Sequence, residues 1–359
     1  MINVTKTYLP DKEKYNFYVD KIFDSGWLTN NGQLVQLLEK RLSEYLGVKN
    51  LILVANGTLA LQISYKLLNL KGDIVTTPFS FVATTSSIVW EGLNPVFSDI
   101  NPNTFNIDET ILENSVTGKT SAIVPVHVFG NICNIETIQR IANKFNLKII
   151  YDAAHAFGVK YKDKSIANYG DVVTFSFHST KIFHTIEGGA IVIKDAALYE
   201  KAKLMINFGI PGYDTVTELG INCKMNEFQA AMGLCVLDDI EMIIKNREKV
   251  YNRYLETIKK SEKIRFQKLN PGATQNFSYF PIVFESEEIL LRVVANLKMK
   301  EIYPRRYFYP SLETLPYIKG KYSTPNSSDI SKRILCLPLY DSLKEDEQDS
   351  IIKILNQTL

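Results

Sequence analysis

The chain has 359 residues, a formal net charge of +2 and 45% hydrophobic residues, which predicts a globular protein with a large core. No cluster of Lys and Arg is interleaved with aromatic residues, so we expect no nucleic-acid partner. The N-terminal residues lack the apolar core of a signal peptide, and no segment has the roughly 20 apolar residues that a membrane span requires. We therefore expect a cytoplasmic protein that does not associate with a membrane.

The cysteines are too far apart to indicate a disulfide framework, and none of them has a Cys-x-x-Cys zinc spacing. They are Cys133, Cys223, Cys235 and Cys336. We expect reduced, buried thiols and predict no metal site.

Apolar, β-branched runs alternate with helical periods over the first two-thirds of the chain. The predicted strands are Leu51–Val54, Ile74–Thr77, Val96–Ile100, Ala122–Val128, Lys148–Asp152, Val172–Phe177 and Ala190–Ile193. The predicted helices are Thr58–Leu70, Phe81–Glu91, Ile135–Phe145 and Asp195–Asn207. This alternation predicts an α/β fold built from βα units around a mostly parallel sheet.

A long helical stretch is predicted from Asn226 to about Lys260, with apolar residues at helical spacing. Beyond it, strands and helices alternate again, which is typical of a smaller α+β unit. The segments are Ile264–Gln267, Asn276–Phe284, Glu287–Leu297, Ile302–Phe308, Ile334–Tyr340 and Lys344–Leu355. We predict a large domain of residues 1–240 and a small C-terminal domain of residues 241–359, which the long helix connects.

A lysine and an aspartate are the strongest candidates for chemistry. Lys181 lies among apolar and hydroxyl residues before a Glu-Gly-Gly turn into a strand, where burial would lower its pKa and allow a Schiff base with pyridoxal phosphate. Asp152 ends a strand, at the edge of the sheet where α/β proteins bind ligands, and could keep the pyridine nitrogen protonated. An Asp at a strand end often only caps a helix, and most lysines are solvated surface residues. The prediction of a pyridoxal-phosphate site therefore depends on the two residues occurring together.

Further residues could complete a cofactor site. Gly57 and Thr58 follow the first predicted strand and open a helix, so their amides and the Thr58 hydroxyl would face a phosphate. Phe81 could stack on the cofactor ring, His155 could donate to its ring oxygen, and Ser176 could reach the phosphate. Each has an ordinary alternative: a tight turn, a core aromatic residue, a satisfied core histidine and a strand serine.

Six short motifs lie in the same order as in a known enzyme family. They are Gly26–Gly32, Asn56–Leu61, Asp152–His155, Ser176–Lys181, Glu187–Gly189 and Gly220–Ala231. Together they resemble the DegT/DnrJ/StrS family of pyridoxal-phosphate-dependent sugar aminotransferases. The resemblance implies the aspartate-aminotransferase fold, which is fold type I of these enzymes.

The same resemblance assigns roles to the candidate residues. It implies that Lys181 is the Schiff-base lysine and Asp152 the pyridinium partner, and it keeps the cofactor contacts given above. It adds Asn222, which would reach the phosphate from the neighbouring subunit and thereby implies a homodimer with shared active sites. His155 stands where many members have Gln and Phe81 where others have Tyr or Trp, but each keeps the donor or the aromatic surface. Related dehydratases have His in place of the lysine, so Lys181 favours transamination.

The resemblance also indicates the substrates. It implies that L-glutamate donates the amino group to a nucleotide-linked keto sugar. The run Phe177–Phe183 before Glu187–Gly189 is similar to enzymes that aminate dTDP-4-keto-6-deoxyglucose at C4. We therefore expect dTDP-4-amino-4,6-dideoxyglucose, for bacterial surface glycans of the O-antigen type. Arg305 and Arg306 could bind the diphosphate, or could both be solvated.

Three alternatives remain at this point. Members of the family that act at C3 of a dTDP-3-keto-6-deoxyhexose tend to read Tyr-Pro-x-Lys-Asn-Leu-Gly before Asp-Gly-Gly, unlike this chain. A non-catalytic, sugar-responsive regulatory protein could keep the same fold, although the Lys181–Asp152 pair argues against it. A nicotinamide-dependent dehydrogenase would need Gly-x-Gly-x-x-Gly after the first strand, which this chain does not supply.

Overall fold

The computed structural model describes residues 1–259 and 261–359. Its strands are β1 Ile2–Asn3, β2 Leu51–Val54, β3 Asp73–Thr76, β4 Asn94–Phe97, β5 Thr120–Val124, β6 Lys148–Asp152, β7 Lys160–Tyr161, β8 Lys164–Ser165, β9 Val172–Ser176, β10 Gly189–Ile193, β11 Ile264–Phe266, β12 Phe280–Phe284, β13 Ile302–Tyr303 and β14 Ile334–Leu337. Its α-helices are α1 Lys12–Ser25, α2 Gln33–Leu46, α3 Gly57–Leu67, α4 Val82–Trp90, α5 Ile135–Phe145, α6 Ala196–Met205, α7 Glu227–Thr257, α8 Glu287–Lys298, α9 Pro325–Arg333 and α10 Glu345–Thr358. The predicted helix end near Lys260 lies outside the described residues.

A seven-stranded sheet forms the centre of the molecule, in the order β2-β10-β9-β6-β5-β3-β4. Every neighbouring pair is parallel except the two that involve β10, which runs antiparallel to β2 and β9. The segment 177–188 between β9 and β10 contains no helix, which suits an antiparallel link because parallel neighbours usually need a helical crossover. The predicted α/β fold with a mostly parallel sheet is confirmed.

The two N-terminal helices and strand β1 were not among the predicted elements. Helix α1 has local signals, since the Asp11 side chain accepts from the amide of Glu13 and the helix ends at Gly26 with φ 64°. Helix α2 has no side-chain cap of its own. The carboxylate of Glu227, on α7, instead accepts hydrogen bonds from the amides of Leu34 (2.8 Å) and Val35 (3.0 Å), a contact that no local pattern reveals.

Helix α7 connects two hydrophobic cores. Its N-terminal part packs in the core beneath the central sheet as far as Ile243, and its C-terminal part contributes Val250 and Tyr254 to a second core with β12 and β14. Strand β1 pairs with β13, which belongs to the C-terminal part of the chain. A domain boundary at residue 240 stays a prediction.

The cysteines are buried and unpaired. Within residues 1–259 and 261–359, no cluster of three or more His, Cys, Asp and Glu side chains is arranged to hold a metal ion. No helix in this described part of the chain combines the length and the apolar character needed to cross a membrane.

Asp99 links the edge of the central sheet to helix α9. Its carboxylate accepts from the backbone amides of Ile100 (2.8 Å), Asn326 (2.8 Å) and Ser327 (2.9 Å). Two of these amides belong to the first turn of α9, whose own N-cap residue Thr324 makes no side-chain cap bond. One buried carboxylate therefore satisfies a helix terminus on a distant part of the chain.

Removal of this carboxylate should destabilise the protein more than removal of an ordinary cap. We expect Asp99→Ala to lower the free energy of unfolding by about 2–3 kcal/mol, because buried amides would lose a charged acceptor. Asp195→Ala, which removes the exposed N-cap of α6, is the control and should cost about 1 kcal/mol. Urea denaturation at a fixed protein concentration measures both, and an Asp99 loss no larger than the control loss would contradict this role.

Candidate active site

The carboxyl ends of β6 and β9, the N-terminus of α3 and segments of the C-terminal part of the chain enclose a cavity of about 260 Å³. Seven of the eight predicted site residues line it. They are Gly57, Thr58, Phe81, Asp152, His155, Ser176 and Lys181. Strands β6 and β9 are parallel neighbours, so their ends bring Asp152 and Ser176 to the same edge of the sheet.

Asp152 is buried and its carboxylate is held on both oxygens. The hydroxyl of Thr84 donates to Oδ2 (2.8 Å) and the amide of Ala154 donates to Oδ1 (3.1 Å). Burial raises the pKa of Asp152, while these two hydrogen bonds and the charge of Lys181 act in the opposite direction. A buried carboxylate of this kind is completed by a cation, and a protonated pyridine nitrogen would provide one. Thr84 was missed because nothing in the local pattern of α4 marks it.

Lys181 lies in the segment between β9 and β10, and its side chain makes no salt bridge within the described residues. Desolvation by burial lowers its pKa to about 8, against the opposing charge of Asp152 and with a smaller contribution from the charge of Arg305. At pH 7 about a tenth of the Lys181 side chains are therefore neutral amines, far more than for a lysine with the usual pKa. Such an amine can act as a nucleophile and can accept and return a proton.

His155 is held as a neutral hydrogen-bond donor. Its Nδ1 accepts from the amide of Phe129 (3.3 Å), so the neutral ring carries its proton on Nε2. The ring stacks on Phe308 with 5.6 Å between centroids, and the backbone carbonyl of His155 accepts from the Ser278 hydroxyl (2.7 Å). Burial, followed by the charge of Lys181, lowers the pKa of His155 well below its usual value. The sequence suggested a donor here, but the contacts that fix its tautomer come from distant segments.

The N-terminus of α3 has the form of an anion site. The side chain of Asn56 accepts from the amide of Leu59 (2.9 Å), which caps one amide of the first turn and leaves the amides of Gly57 and Thr58 at the cavity. A Cβ on Gly57 would lie 2.8 Å from Cβ of Ser176, so only glycine lets the helix approach the strand this closely. A phosphate group fits this terminus.

Phe81 is not a core residue. Its side chain is 47% exposed, and it precedes the first turn of α4 at the wall of the cavity. An exposed aromatic face beside the Lys181–Asp152 pair is available to stack on a planar ring. The cavity therefore combines an anion-binding terminus, an aromatic wall, a buried carboxylate and an uncharged donor, which fits pyridoxal phosphate.

The structure separates the two arginines that the sequence offered as phosphate ligands. Arg305 lines the cavity and lies over the ring of Tyr307. Arg306 points away, since its guanidinium pairs with Glu287 (2.6 Å) and donates to the carbonyl of Lys332 (2.7 Å). Of these two arginines, Arg305 lines the cavity, whereas the Arg306 guanidinium is engaged outside it.

Asn222 does not line the cavity of its own subunit. It is exposed in the segment between α6 and α7, where its backbone forms an isolated antiparallel β-bridge with Asn207. Several large apolar side chains of the same segment are also exposed. They are Phe208, Ile210, Tyr213, Val216, Leu219 and Ile221. An apolar exposed segment of this size is typical of a protein interface.

A strained turn precedes β10 at the cavity. Ile186 has a φ of 69° and a side chain that is 44% exposed, so neither its backbone conformation nor its burial is favourable. A β-branched residue in this conformation costs roughly 1–3 kcal/mol. The turn presents Glu187 to His178 with 3.5 Å between Oε1 and Nε2, but a half-exposed pair stabilises a protein by only about 0–1 kcal/mol. The pair therefore does not offset the strain, which is typical of a turn kept for function.

The fold and this cavity have the features of a pyridoxal-phosphate-dependent transferase of fold type I. Residues 10–356 match the model of the DegT/DnrJ/EryC1/StrS aminotransferase family. The chain belongs to this family. It is therefore an enzyme, a pyridoxal-phosphate-dependent aminotransferase.

The chain is similar to characterised proteins over almost its whole length. The dTDP-4-amino-4,6-dideoxy-D-glucose transaminase of Escherichia coli is 40% identical, and the match covers 99% of this chain and 98% of that protein. GDP-perosamine synthase of Escherichia coli O157:H7 is 30% identical over 99% and 98% of the two chains. The crystal structure of DesI in the presence of its TDP-sugar product has a TM-score of 0.94 at 30% identity, and the match covers 99% of this chain and 92% of that one.

The two charges beside Lys181 should move its pKa in opposite directions. Asp152→Asn removes the anion that favours the ammonium form and should lower the pKa below about 8, whereas Arg305→Gln removes a repelling cation and should raise it. Competitive acetylation of the apoenzyme across a pH series, followed by mass spectrometry of the Lys181 peptide, gives the midpoint. Glu288→Gln, an exposed change on α8, should leave it unchanged. Shifts of the same sign in both site variants would contradict this electrostatic account.

Proposed function

We propose that the enzyme transfers the amino group of L-glutamate to dTDP-4-keto-6-deoxyglucose and forms dTDP-4-amino-4,6-dideoxyglucose. The observation that carries this proposal is the 40% identity to the Escherichia coli dTDP-4-amino-4,6-dideoxy-D-glucose transaminase, against 30% to the GDP-perosamine synthase of the same species. We further propose that it acts in the cytoplasm and that its product enters bacterial surface-glycan synthesis of the O-antigen type.

Lys181 is the proposed catalytic residue for covalent binding and proton transfer. When bound, pyridoxal phosphate supplies an aldehyde carbon that receives the amino group and a ring that withdraws electrons from the reacting carbon. The Lys181 amine would hold the cofactor and, once free, carry a proton to and from the reacting carbon. Its pKa of about 8 suits both tasks, because the amine must be neutral to accept a proton and charged to return it.

Asp152 and His155 are proposed to set the charge of the cofactor ring. The Asp152 carboxylate would hold a proton at the ring nitrogen, and its hydrogen bonds from Thr84 and Ala154 keep the oxygens in place for this contact. The Nε2–H of His155 would donate to the ring oxygen. Because the imidazole is neutral, it would provide this hydrogen bond without adding a second cation beside Lys181.

The remaining cavity residues are proposed to bind and orient. Gly57, Thr58 and Ser176 would hold the phosphate, supported by the free amides of the α3 terminus and the close approach of Gly57 to Ser176. Phe81 would stack on one face of the ring. Arg305 would contact the diphosphate of the sugar nucleotide, since a guanidinium binds phosphate oxygens in pairs.

We propose a homodimer in which Asn222 of one subunit completes the phosphate site of the other. The exposure of Asn222 outside its own cavity, together with the exposed apolar residues of its segment, supports this arrangement. In a two-fold dimer the contact would occur twice, so that each site would use residues of both subunits.

Loss of the lysine amine should stop turnover without preventing the cofactor from binding. We expect Lys181→Ala to lower kcat by more than about a thousandfold, because the nucleophile and the proton carrier are both lost. The affinity for pyridoxamine phosphate, measured by fluorescence titration, should change little because the phosphate contacts remain. Lys66→Ala, on the exposed face of α3, is the control and should retain full activity. Turnover near the wild-type rate in Lys181→Ala would overturn the mechanism.

A mixed dimer tests the shared site. Neither the Asn222→Asp protein nor the Lys181→Ala protein should be active alone, the first because the new carboxylate would repel the phosphate. After subunit exchange, activity should recover to about a quarter of the wild-type rate, because half of the dimers would be mixed and each would contain one unaltered site. Mass spectrometry confirms the exchange, and exchange without recovered activity would count against the shared site.

The acceptor is tested by direct competition among keto sugars. We expect kcat/KM for dTDP-4-keto-6-deoxyglucose to exceed that for a dTDP-3-keto-6-deoxyhexose or a GDP-4-keto-6-deoxyhexose by about a hundredfold. The reason is that polar side chains which hydrogen-bond the correct sugar nucleotide stay buried and unpaired when a different one binds. NMR of the product should place the amine at C4. A preference for the 3-keto sugar or for the GDP sugar would contradict the proposed acceptor, whereas the assignment as an aminotransferase would still hold.

A further inference from the structure

Glu187 is a carboxylate at the cavity to which the proposed cofactor contacts assign no role. Its side chain is about half exposed and lines the same cavity as Lys181 and Arg305. The other cavity carboxylate, Asp152, is held by Thr84 and Ala154 and is the one proposed to face the cofactor's ring nitrogen.

We propose that Glu187, oriented by His178, binds the hydroxyl groups of the sugar next to the reacting carbonyl and so selects the sugar. This inference rests on the proposed function, because it names a contact of the nucleotide-linked sugar in the same site. Glu187 is a specificity-determining residue on this account, and His178 is a positioning residue.

The charge of Glu187 identifies the part of the substrate that it contacts. An ionised carboxylate only accepts hydrogen bonds, so it binds hydroxyl groups and repels a diphosphate. The cation that suits the diphosphate, Arg305, lies at the same cavity without a carboxylate partner in the described residues. The cavity thus offers one group to the charged part of a sugar nucleotide and another to its neutral, hydroxyl-bearing part.

His178 is fixed so that it supports this carboxylate. Its Nδ1 lies 2.8 Å from the Thr180 hydroxyl and 3.3 Å from the Thr180 amide, and these contacts orient the ring with Nε2 towards Glu187. That Nε2 lies 3.5 Å from Oε1 of Glu187. The imidazole therefore lies beside one carboxylate oxygen and leaves the other to a ligand.

The backbone around Glu187 is equally constrained. The Thr185 hydroxyl donates to the carbonyl of Glu187 (2.8 Å), and the amide of Phe177 donates to the carbonyl of Gly188 (2.8 Å). A Cβ on Gly188 would lie 1.9 Å from Oγ1 of Thr185, so a larger residue there would displace the hydroxyl that holds the Glu187 carbonyl. Together with the strained Ile186, these contacts hold the Glu187 backbone in place at the cavity that Lys181 also lines, which a solvated surface residue would not require.

The test compares a ligand that has the sugar with one that lacks it. Enzyme loaded with pyridoxamine phosphate is titrated calorimetrically with dTDP-glucose and with dTDP. Glu187→Gln should weaken dTDP-glucose binding at least tenfold and leave dTDP binding within about twofold, because an amide keeps the size of the carboxylate but loses its charge and one acceptor. His178→Gln should weaken dTDP-glucose binding by a smaller factor with dTDP again unchanged, a difference between ligands that a purely structural role would not produce.

Glu288→Gln, which removes an exposed carboxylate paired with Arg292 on α8, is the matched control and should change neither affinity. Equal weakening of both ligands by Glu187→Gln, or no change in either, would overturn the role of Glu187 while the wild-type enzyme still binds both. If the wild-type enzyme binds neither ligand, the proposed substrate class fails and this inference fails with it.

Discussion

The structure depends on the burial of two opposite charges in one cavity. Water exclusion lowers the pKa of Lys181 to about 8 and raises the pKa of Asp152, and each charge partly offsets the effect of burial on the other. Neither residue would have these properties on an open surface. The aromatic side chains of the C-terminal part of the chain, Tyr279 and Phe308, close the cavity over the sheet edge and maintain this desolvation.

The sheet topology explains how the lysine reaches the aspartate. Because β10 runs antiparallel to β9, the segment between them turns back at the carboxyl edge instead of crossing the sheet through a helix. Lys181 lies in this segment, at the edge where β6 ends in Asp152. The same turn presents Glu187, so one short segment carries both the proposed catalytic amine and the proposed sugar contact.

The sequence predicted what depends on local pattern and missed what depends on distant contacts. The ends of β6 and β9, and with them Asp152 and Ser176, follow from apolar runs. The Asp152–Thr84 bond joins segments that are far apart in the chain and has no local signal. Strand β4 begins at Asn94 rather than at the predicted Val96, because an edge strand tolerates a proline that would break a central ladder.

The central claim is that Lys181 is the amine that binds the cofactor covalently. The most direct measurement is borohydride reduction of the enzyme loaded with pyridoxal phosphate, followed by peptide mass spectrometry. The account predicts a single stable phosphopyridoxyl label on Lys181, because burial beside Asp152 keeps this amine reactive and placed at the cofactor site. A label on another lysine, or no label on a protein that has bound the cofactor, would contradict it.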